Sequence, residues 1–208
     1  MRTRRMYRAI LTAVVAFGGV VAATPKISEA TSVAVADPGD PSGPLCASIP
    51  ADGEGSFGGM ADDPVATAAA NNPYLTTLAS AVQAAGLVDT LNGPGPFTVF
   101  APSNEAFAAV PQADLDAILA DNGLLTSILT YHVVAGASLS VAELVAAGTV
   151  TSVQGGELRF STDEEGALII NGGAAMATCW NITTANATVH VIDRVLTPPL
   201  PKDCFARC

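Results

Sequence analysis

PFTVFAPSNEAF, the sequence of residues 96–107, predicts a buried strand that runs directly into a capped helix. Nearly every position in its first half is apolar, which is typical of a strand that is covered on both faces. Pro102 ends the strand pattern because proline has no N–H for a sheet ladder. Ser103 follows where an N-cap is favoured, and Glu105 lies in the first turn, near the positive end of the helix dipole. The stretch has no obvious catalytic residue, so it indicates a scaffold.

Two later segments complete an ordered set of motifs. LLTSILTYHVV, at residues 124–134, predicts an apolar helix that ends in a Tyr-His pair, and TANATVHVIDRVLTPP, at residues 184–199, predicts the last strand. In this order and at this spacing, the three segments resemble the first box, the Tyr-His box and the second box of a fasciclin-type domain. The resemblance covers about residues 61–199. NNPYLTTL, at residues 71–78, extends it to the secreted fasciclin-type antigens of mycobacteria, the major secreted immunogenic protein family.

The fold that this resemblance implies is α+β. It consists of a single fasciclin-type domain in which two small β-sheets form a wedge, with helices packed along one side. The order of the sequence patterns favours the same class, because helical periodicity dominates up to about residue 147 and short β patterns follow. The sequence contains no second copy of the boxes, so we expect one domain rather than a tandem array.

Local signals predict where several elements begin and end. Ser140 and Glu143 have the spacing of a capping box and predict a short helix. The Asn-Gly pair at residues 122–123 predicts the end of the helix before it, through a left-handed cap. A second Asn-Gly pair, at residues 171–172, lies between two apolar runs and predicts a β-hairpin.

The first 36 residues have the pattern of a secretory signal peptide. Four arginines precede a largely apolar run at residues 9–23, which is shorter than the ~20 residues that a membrane-spanning helix requires. Small residues permit cleavage near Ala36, which we favour, or near Ala30. An uncleaved membrane anchor is the alternative interpretation of this segment.

We expect the rest of the chain to have three parts. A leader rich in proline and glycine occupies residues 37–60 and is tethered by Cys46. The fasciclin-type domain occupies residues 61–199, and a C-terminal tail occupies residues 200–208. The export signal predicts a secreted protein, extracellular or associated with the cell envelope, with no stable membrane span after cleavage.

The composition of the chain restricts its partners. Half of the residues are hydrophobic, and only 13% are charged, against about 25% in typical soluble domains. From residue 37 onward four basic residues stand against 18 acidic ones, which leaves a formal charge of −14. Such a surface repels phosphate backbones and anionic lipids. We therefore expect no nucleic-acid partner, and the charge is typical of a secreted protein that stays soluble.

Four cysteines in an exported chain predict disulfide bonds, and Cys46, Cys179, Cys204 and Cys208 allow three pairings. The resemblance implies a bond between Cys46 and Cys179, because the mycobacterial relatives tie a cysteine before the domain to one ahead of the second box. We favour Cys204–Cys208 as the second bond, beyond the family pattern. A metal site is disfavoured, since the chain has no Cys-x-x-Cys pair and only two histidines.

The two histidines are the main candidates for chemistry. His132 ends an apolar helix, and His190 lies between two valines of the predicted last strand, so we interpret both as structural. The chain has no Gly-x-Ser-x-Gly elbow, phosphate loop or His-Glu-x-x-His sequence. We therefore expect no catalytic residue, metal or cofactor.

The resemblance singles out Tyr131 and His132. In fasciclin-type domains this pair is usually structural, and in some animal matrix members it is linked to cell adhesion, so it is the adhesion-linked motif that the resemblance implies here. Asn181 and Asn186 each begin an Asn-x-Thr sequence and are formal N-glycosylation acceptors. Asn186 lies inside the second box, where the fold is the better explanation for it.

Three functional hypotheses follow. The leading one is a secreted, non-enzymatic cell-adhesion or extracellular interaction protein, a monomer that binds a protein or carbohydrate of the cell surface or matrix. The second is an envelope carrier of a small apolar ligand, held between apolar helix faces. The third is a hydrolase that uses His132 together with another residue.

Overall fold

A computed structural model describes residues 40–164 and 166–198. The predicted signal peptide, both cleavage sites and the Cys204–Cys208 pair lie outside the described residues. The α-helices are α1 Phe57–Asp62, α2 Val65–Asn71, α3 Thr76–Ala84, α4 Val88–Leu91, α5 Asn104–Ala108, α6 Gln112–Ala120, α7 Asn122–Tyr131 and α8 Val141–Ala147. The strands are β1 Phe97–Pro102, β2 Val133–Ala135, β3 Thr149–Thr151, β4 Glu157–Thr162, β5 Leu168–Ile170, β6 Ala175–Thr183 and β7 Ala187–Ile192.

The first sequence motif forms the centre of the fold. All residues of β1 after the first are buried, as expected for a strand covered on both faces. Ser103 is the N-cap of α5, and its hydroxyl accepts a hydrogen bond from the Ala106 N–H at 3.2 Å. The predicted strand and cap are therefore confirmed.

The strands form one seven-stranded sheet in the order β2-β1-β7-β6-β5-β4-β3. β1 and β7, which contain the first and second boxes, are parallel neighbours, and every other pair in this order is antiparallel. Helices precede most of the strands in the chain, so the mixed helix and sheet composition that was predicted is confirmed.

The two small sheets implied by the resemblance are joined into one in this structure, and the wedge is not confirmed. β6 joins them, because its first two residues pair with β5 whereas residues 177–183 pair with β7. The register shifts after Ala177 and again after Cys179, and Asn181 has a φ of 60°. Irregularities of this kind bend a strand and increase its twist. One long strand can therefore pair with both groups of strands.

The two outer strands of the sheet also approach each other. The N–H of Val153, just after β3, donates to the carbonyl of Val133, the first residue of β2, at 2.7 Å. The sheet is consequently almost closed on itself.

Side chains of β1 point alternately into two apolar clusters. Val99 and Ala101 belong to the cluster that contains α1–α4 and α7, whereas Phe100 belongs to the cluster that contains α8, β4 and β5. Both faces of the strand are thus packed, which explains its nearly continuous apolar sequence.

Two of the three local predictions agree with the structure. The side chains of Ser140 and Glu143 form the predicted capping box at the start of α8, and the Asn-Gly pair at residues 171–172 turns between β5 and β6. The prediction for residues 122–123 is wrong, because these residues open α7. Asp121 is responsible, since its carboxylate accepts hydrogen bonds from the Gly123 and Leu124 N–H groups.

The N-terminal segment is attached to β6. A disulfide joins Cys46 to Cys179, whose Cα atoms are 5.0 Å apart, as the resemblance implies. Ser42 and Trp180 exchange two backbone hydrogen bonds of 3.1 and 2.9 Å beside this disulfide. The predicted leader is more ordered than expected, since it contains a 3-10 helix at Pro44–Ser48 and most of α1, with Met60 buried.

Within residues 40–164 and 166–198, no helix has the length and apolar character to cross a membrane.

Candidate functional site

The Tyr-His pair lies where α7 ends and β2 begins. Tyr131 is the last residue of α7, and His132 is its C-cap. Only 1% of Tyr131 and 2% of His132 is exposed. The apolar face of α7 packs into the interior and carries both side chains with it, so the pair lies beneath the surface.

His132 connects α7 to the segment that follows β7. Its Nδ1 atom lies 2.8 Å from the Ile128 carbonyl oxygen, and its Nε2 atom lies 2.9 Å from the Leu196 backbone nitrogen. A backbone N–H can only donate, so Nε2 is the acceptor and the ring is the neutral tautomer with its proton on Nδ1. Burial lowers the pKa of His132 from 6.5 to about 4, although the hydrogen bond to Ile128 acts in the opposite direction.

Tyr131 connects α7 to β4 and to the β5–β6 turn. Its hydroxyl donates to the Glu157 carbonyl and accepts from the Asn171 amide, each at 3.0 Å. Asn171 in turn accepts from the Arg159 N–H at 2.9 Å. Gly156 packs against the Tyr131 ring so closely that a Cβ atom there would lie 2.8 Å from a ring carbon. The ring of Tyr131 is therefore packed, and its hydroxyl is hydrogen-bonded, within the fold.

His190, on β7, is also buried and has both ring nitrogens in contact with backbone groups. Its Nε2 atom lies 3.0 Å from the Leu139 carbonyl oxygen, and its Nδ1 atom accepts from the Asn181 N–H at 3.4 Å. The ring stacks on Phe100, with 5.6 Å between ring centroids. Burial lowers the pKa of His190 to about 4, against the opposing effect of the hydrogen bond to Leu139.

The chemistry that these groups can perform is limited. A general base needs an imidazole nitrogen within reach of the proton that it removes, whereas the four ring nitrogens of His132 and His190 all contact backbone groups. In the part of the chain that the structure describes, no three His, Cys, Asp or Glu side chains lie close enough to hold a metal ion.

Both formal glycosylation acceptors have their side-chain amides hydrogen-bonded within the fold. The Asn181 oxygen accepts from the Val141 N–H at 3.0 Å, and 4% of the residue is exposed. The Asn186 oxygen accepts from the Val65 N–H at 2.9 Å. These asparagines therefore hold together segments that are distant in the sequence.

Asn186 makes three such bonds. Its amide nitrogen donates to the Leu91 and Gly93 carbonyls, each at 2.8 Å, so the loop between α4 and β1 is fixed to the start of β7. Sequence reasoning did not identify this role. The position of Asn186 inside the second box was the one available signal.

Two small apolar cavities adjoin His132. One has a volume of about 30 Å³ and lies among side chains of α2, α3, α7 and β1. The other has a volume of about 20 Å³ and lies among side chains of α5, α6 and α7. Each has room for about one water molecule, so neither holds an organic ligand unless the helices move.

A family model described as the Fasciclin domain matches residues 73–198. The cell surface glycolipoprotein MPB83 of Mycobacterium bovis is 46% identical to this chain over 187 residues, which cover 85% of this chain and 81% of the relative. The immunogenic protein MPB70 of Mycobacterium bovis is 46% identical over 181 residues, which cover 82% of this chain and 90% of the relative. The family resemblance is therefore confirmed.

Solved structures show the same fold. A FAS1 domain pair from the insect cell adhesion molecule fasciclin I superposes with a TM-score of 0.55 at 18% identity. The superposition covers 70% of this chain and 53% of that chain. At this identity the similarity concerns the fold alone.

Proposed function

This chain belongs to the fasciclin domain family, and from that membership we propose that it is a secreted, non-enzymatic cell-adhesion or interaction protein. Like its mycobacterial relatives, one of which is named a cell surface protein, it is secreted or associated with the cell envelope. Its partner is a protein or carbohydrate of the cell surface or matrix. We expect the chain to act as a monomer.

The burial of the Tyr-His pair carries this proposal. Tyr131 and His132 use their polar atoms for hydrogen bonds inside the fold and have at most 2% of their surface exposed. Buried side chains that are hydrogen-bonded in this way stabilise a fold. A bound partner cannot reach them and contacts only the residues exposed on the surface. The function of the domain therefore depends on its exposed surface.

The Tyr-His pair still acts in adhesion, but indirectly. Tyr131 fixes the beginning of β4 and the β5–β6 turn, while His132 fixes the segment after β7. Loss of either side chain releases a surface segment that a partner could contact. An adhesion defect in a Tyr131 or His132 variant would thus accompany a change in local order.

Crosslinking on intact cells tests the proposed function. The purified mature protein, with a photoreactive label, is added to cells, and the captured components are identified by mass spectrometry. We expect one surface component that excess unlabelled protein displaces and that reduced, unfolded protein does not capture. Failure to capture any such component, together with normal attachment of cells that lack the protein, would contradict the proposal.

A carrier of a small apolar ligand is the second candidate, and the cavity of about 30 Å³ beside His132 favours it. The cavity walls are apolar, but a ligand larger than one water molecule would have to separate α2 and α3 from β1. Native mass spectrometry of the secreted protein tests this function. Extra mass that disappears on denaturation would support a carrier.

The third candidate, a hydrolase, has less support. His132 would have to break its hydrogen bonds to Ile128 and Leu196 before it could accept a proton. Turnover of a generic ester that disappears in His132→Gln would support it, provided that the variant remains folded.

A further inference from the structure

The helix α6 is held to the domain less firmly than its neighbours. Among the described α-helices, α6 alone has no buried residue. It packs on the domain through Leu115 and Ile118, which are only half-buried. The cavity of about 20 Å³ lies under these two side chains. Atoms that face such a gap lose part of their dispersion attraction, so α6 is packed less tightly than the helices with buried side chains.

Apolar side chains remain exposed where α6 meets α7. Leu119, near the end of α6, is 48% exposed, and Leu124, in the first turn of α7, is 41% exposed. They are two of the four large hydrophobic residues that are exposed in the described part of the chain. We call Leu119 and Leu124 the α6–α7 patch.

The charges around the α6–α7 patch are negative. Asp116, which is three residues before Leu119 and therefore beside it on α6, and Asp121, the N-cap of α7, are both exposed, and the sequence has no lysine or arginine between Lys26 and Arg159. Arg194 is next to a residue that lines the cavity under α6, but its guanidinium lies 4.0 Å from the Asp193 carboxylate. A partner with lysine or arginine beside its apolar groups would therefore complement this surface.

We propose that the α6–α7 patch binds a basic amphipathic segment of a protein partner. Leucine-like anchors of the segment cover Leu119 and Leu124, and its lysine or arginine side chains lie against Asp116 and Asp121. This assignment rests on the proposed function, since it names the partner chemistry of an interaction protein. A second copy of this acidic chain and an anionic lipid surface are both disfavoured occupants, because each adds negative charge to a negative surface.

A designed peptide provides the test. The probe is a helical peptide of about 18 residues, or five turns, with leucine on one face and lysine on the other. Two reference peptides replace lysine by glutamate or leucine by serine. Binding to the full mature chain is measured by fluorescence anisotropy at several salt concentrations. We expect the Leu/Lys peptide to bind most tightly and its affinity to fall as salt rises.

Variants of the protein locate the binding surface. L119S/L124S should weaken binding of the Leu/Lys peptide at least tenfold, and D116N/D121N should weaken binding and reduce its salt dependence, with asparagine still able to cap α7 at position 121. V153S/M176S is the matched control, because it removes two equally exposed apolar side chains elsewhere and should bind like the unmodified protein. All three variants should keep the unmodified circular dichroism spectrum, since the replaced side chains are on the surface.

Several results would overturn the inference. The inference is wrong if L119S/L124S and V153S/M176S bind the Leu/Lys peptide equally, or if the glutamate peptide binds as tightly as the Leu/Lys peptide. It is also wrong if no peptide binds, or if the protein dimerises through the patch in sedimentation analysis. The cell-surface crosslinking experiment separates this inference from the proposed function. If L119S/L124S still captures the same surface component as the unmodified protein, the patch is wrong and the proposed function stands. If the unmodified protein captures nothing and cells that lack the protein attach normally, the proposed function fails whatever the peptide does.

Discussion

The Nε2 atom of His132 lies 2.9 Å from the backbone nitrogen of Leu196, which is 64 residues further along the chain. Leu196 is itself only 1% exposed, so this N–H has no access to bulk water. The opposite side of the same ring donates to the Ile128 carbonyl in α7. One neutral imidazole thus satisfies a donor and an acceptor on two elements, and it joins the Tyr-His box to the end of the second box.

Replacing His132 by glutamine should destabilise the domain. Glutamine carries its oxygen and nitrogen on one terminal carbon and has no polar atom at the position of Nδ1, so it cannot serve both Ile128 and Leu196, and an unsatisfied buried polar group costs about 1–3 kcal/mol. The expected fall in melting temperature is several degrees. Urea unfolding monitored by circular dichroism measures the change, with Gln83→Ala on the exposed side of α3 as the control. Unchanged stability in His132→Gln would show that the hydrogen bond to Leu196 contributes nothing.

The stability of the domain should fall as the pH drops from about 6.5 towards 4. Burial lowers the folded-state pKa of His132 and His190 to about 4, whereas the unfolded chain has the ordinary value of 6.5. In this interval the unfolded chain binds more protons, so protonation favours unfolding. From pH 7.5 to pH 5 the loss should be about 2 kcal/mol for each histidine.

Unfolding midpoints at several pH values measure this loss. The pKa of Glu143 is lowered from 4.5 by its hydrogen bonds to Ser140. Its protonation therefore affects stability below pH 5, outside the interval from pH 7.5 to 5 in which the histidines act. His132→Gln should remove about half of the pH dependence between pH 7.5 and 5. Imidazole NMR signals that titrate near pH 6.5 in the folded protein would show that the rings are accessible to solvent.

The parts of the fold that the sequence predicted are those that local contacts determine. Ser103 caps α5 and Ser140 caps α8 through partners three residues away, so the pattern of neighbouring residues is sufficient to find them. The Cys46–Cys179 bond links residues 133 positions apart, and only the family resemblance suggested it. The Asn-Gly pair at residues 122–123 misled, because the Asp121 carboxylate provides a stronger signal for a helix start.

The joining of the sheet and the role of Asn186 depend on distant segments. β6 pairs with β5 through its first two residues and with β7 along the rest, and its register against β7 shifts twice. Alternation of apolar residues reveals neither feature. Asn186 bonds to Val65 across 121 positions and to Leu91 across 95. Its amide has no local partner that a sequence pattern could indicate.

Removing the Cys46–Cys179 disulfide should lower stability by about 4–5 kcal/mol. The bond closes a loop with a sequence separation of 133 residues, and in the chain-entropy model a closure of this length restricts the unfolded state by that amount. Thermal unfolding of Cys46→Ser/Cys179→Ser measures the loss. Cys204→Ser/Cys208→Ser is the control, for which we expect a smaller effect because any loop between these cysteines is short. Equal losses in the two double variants would contradict the prediction.

Replacing Asn186 by aspartate should destabilise the domain at neutral pH, although the two side chains have nearly the same shape. The remaining oxygen can still accept from the Val65 N–H, but the second oxygen would face the Leu91 and Gly93 carbonyls, to which the amide now donates at 2.8 Å. Two lost hydrogen bonds and the repulsion between oxygens should cost about 2–4 kcal/mol.

Urea unfolding of Asn186→Asp at pH 7 measures this cost. Asn122→Asp is the matched control, because it makes the same chemical change at an exposed position in the first turn of α7, where a negative charge is tolerated. Hydrogen exchange adds a local measurement, since a released α4–β1 loop should expose the Phe97 amide, which is bonded to the Asn186 carbonyl at 3.0 Å. If Asn186→Asp and Asn122→Asp are equally stable and the Phe97 amide stays protected, the Asn186 side chain does not hold the α4–β1 loop against β7.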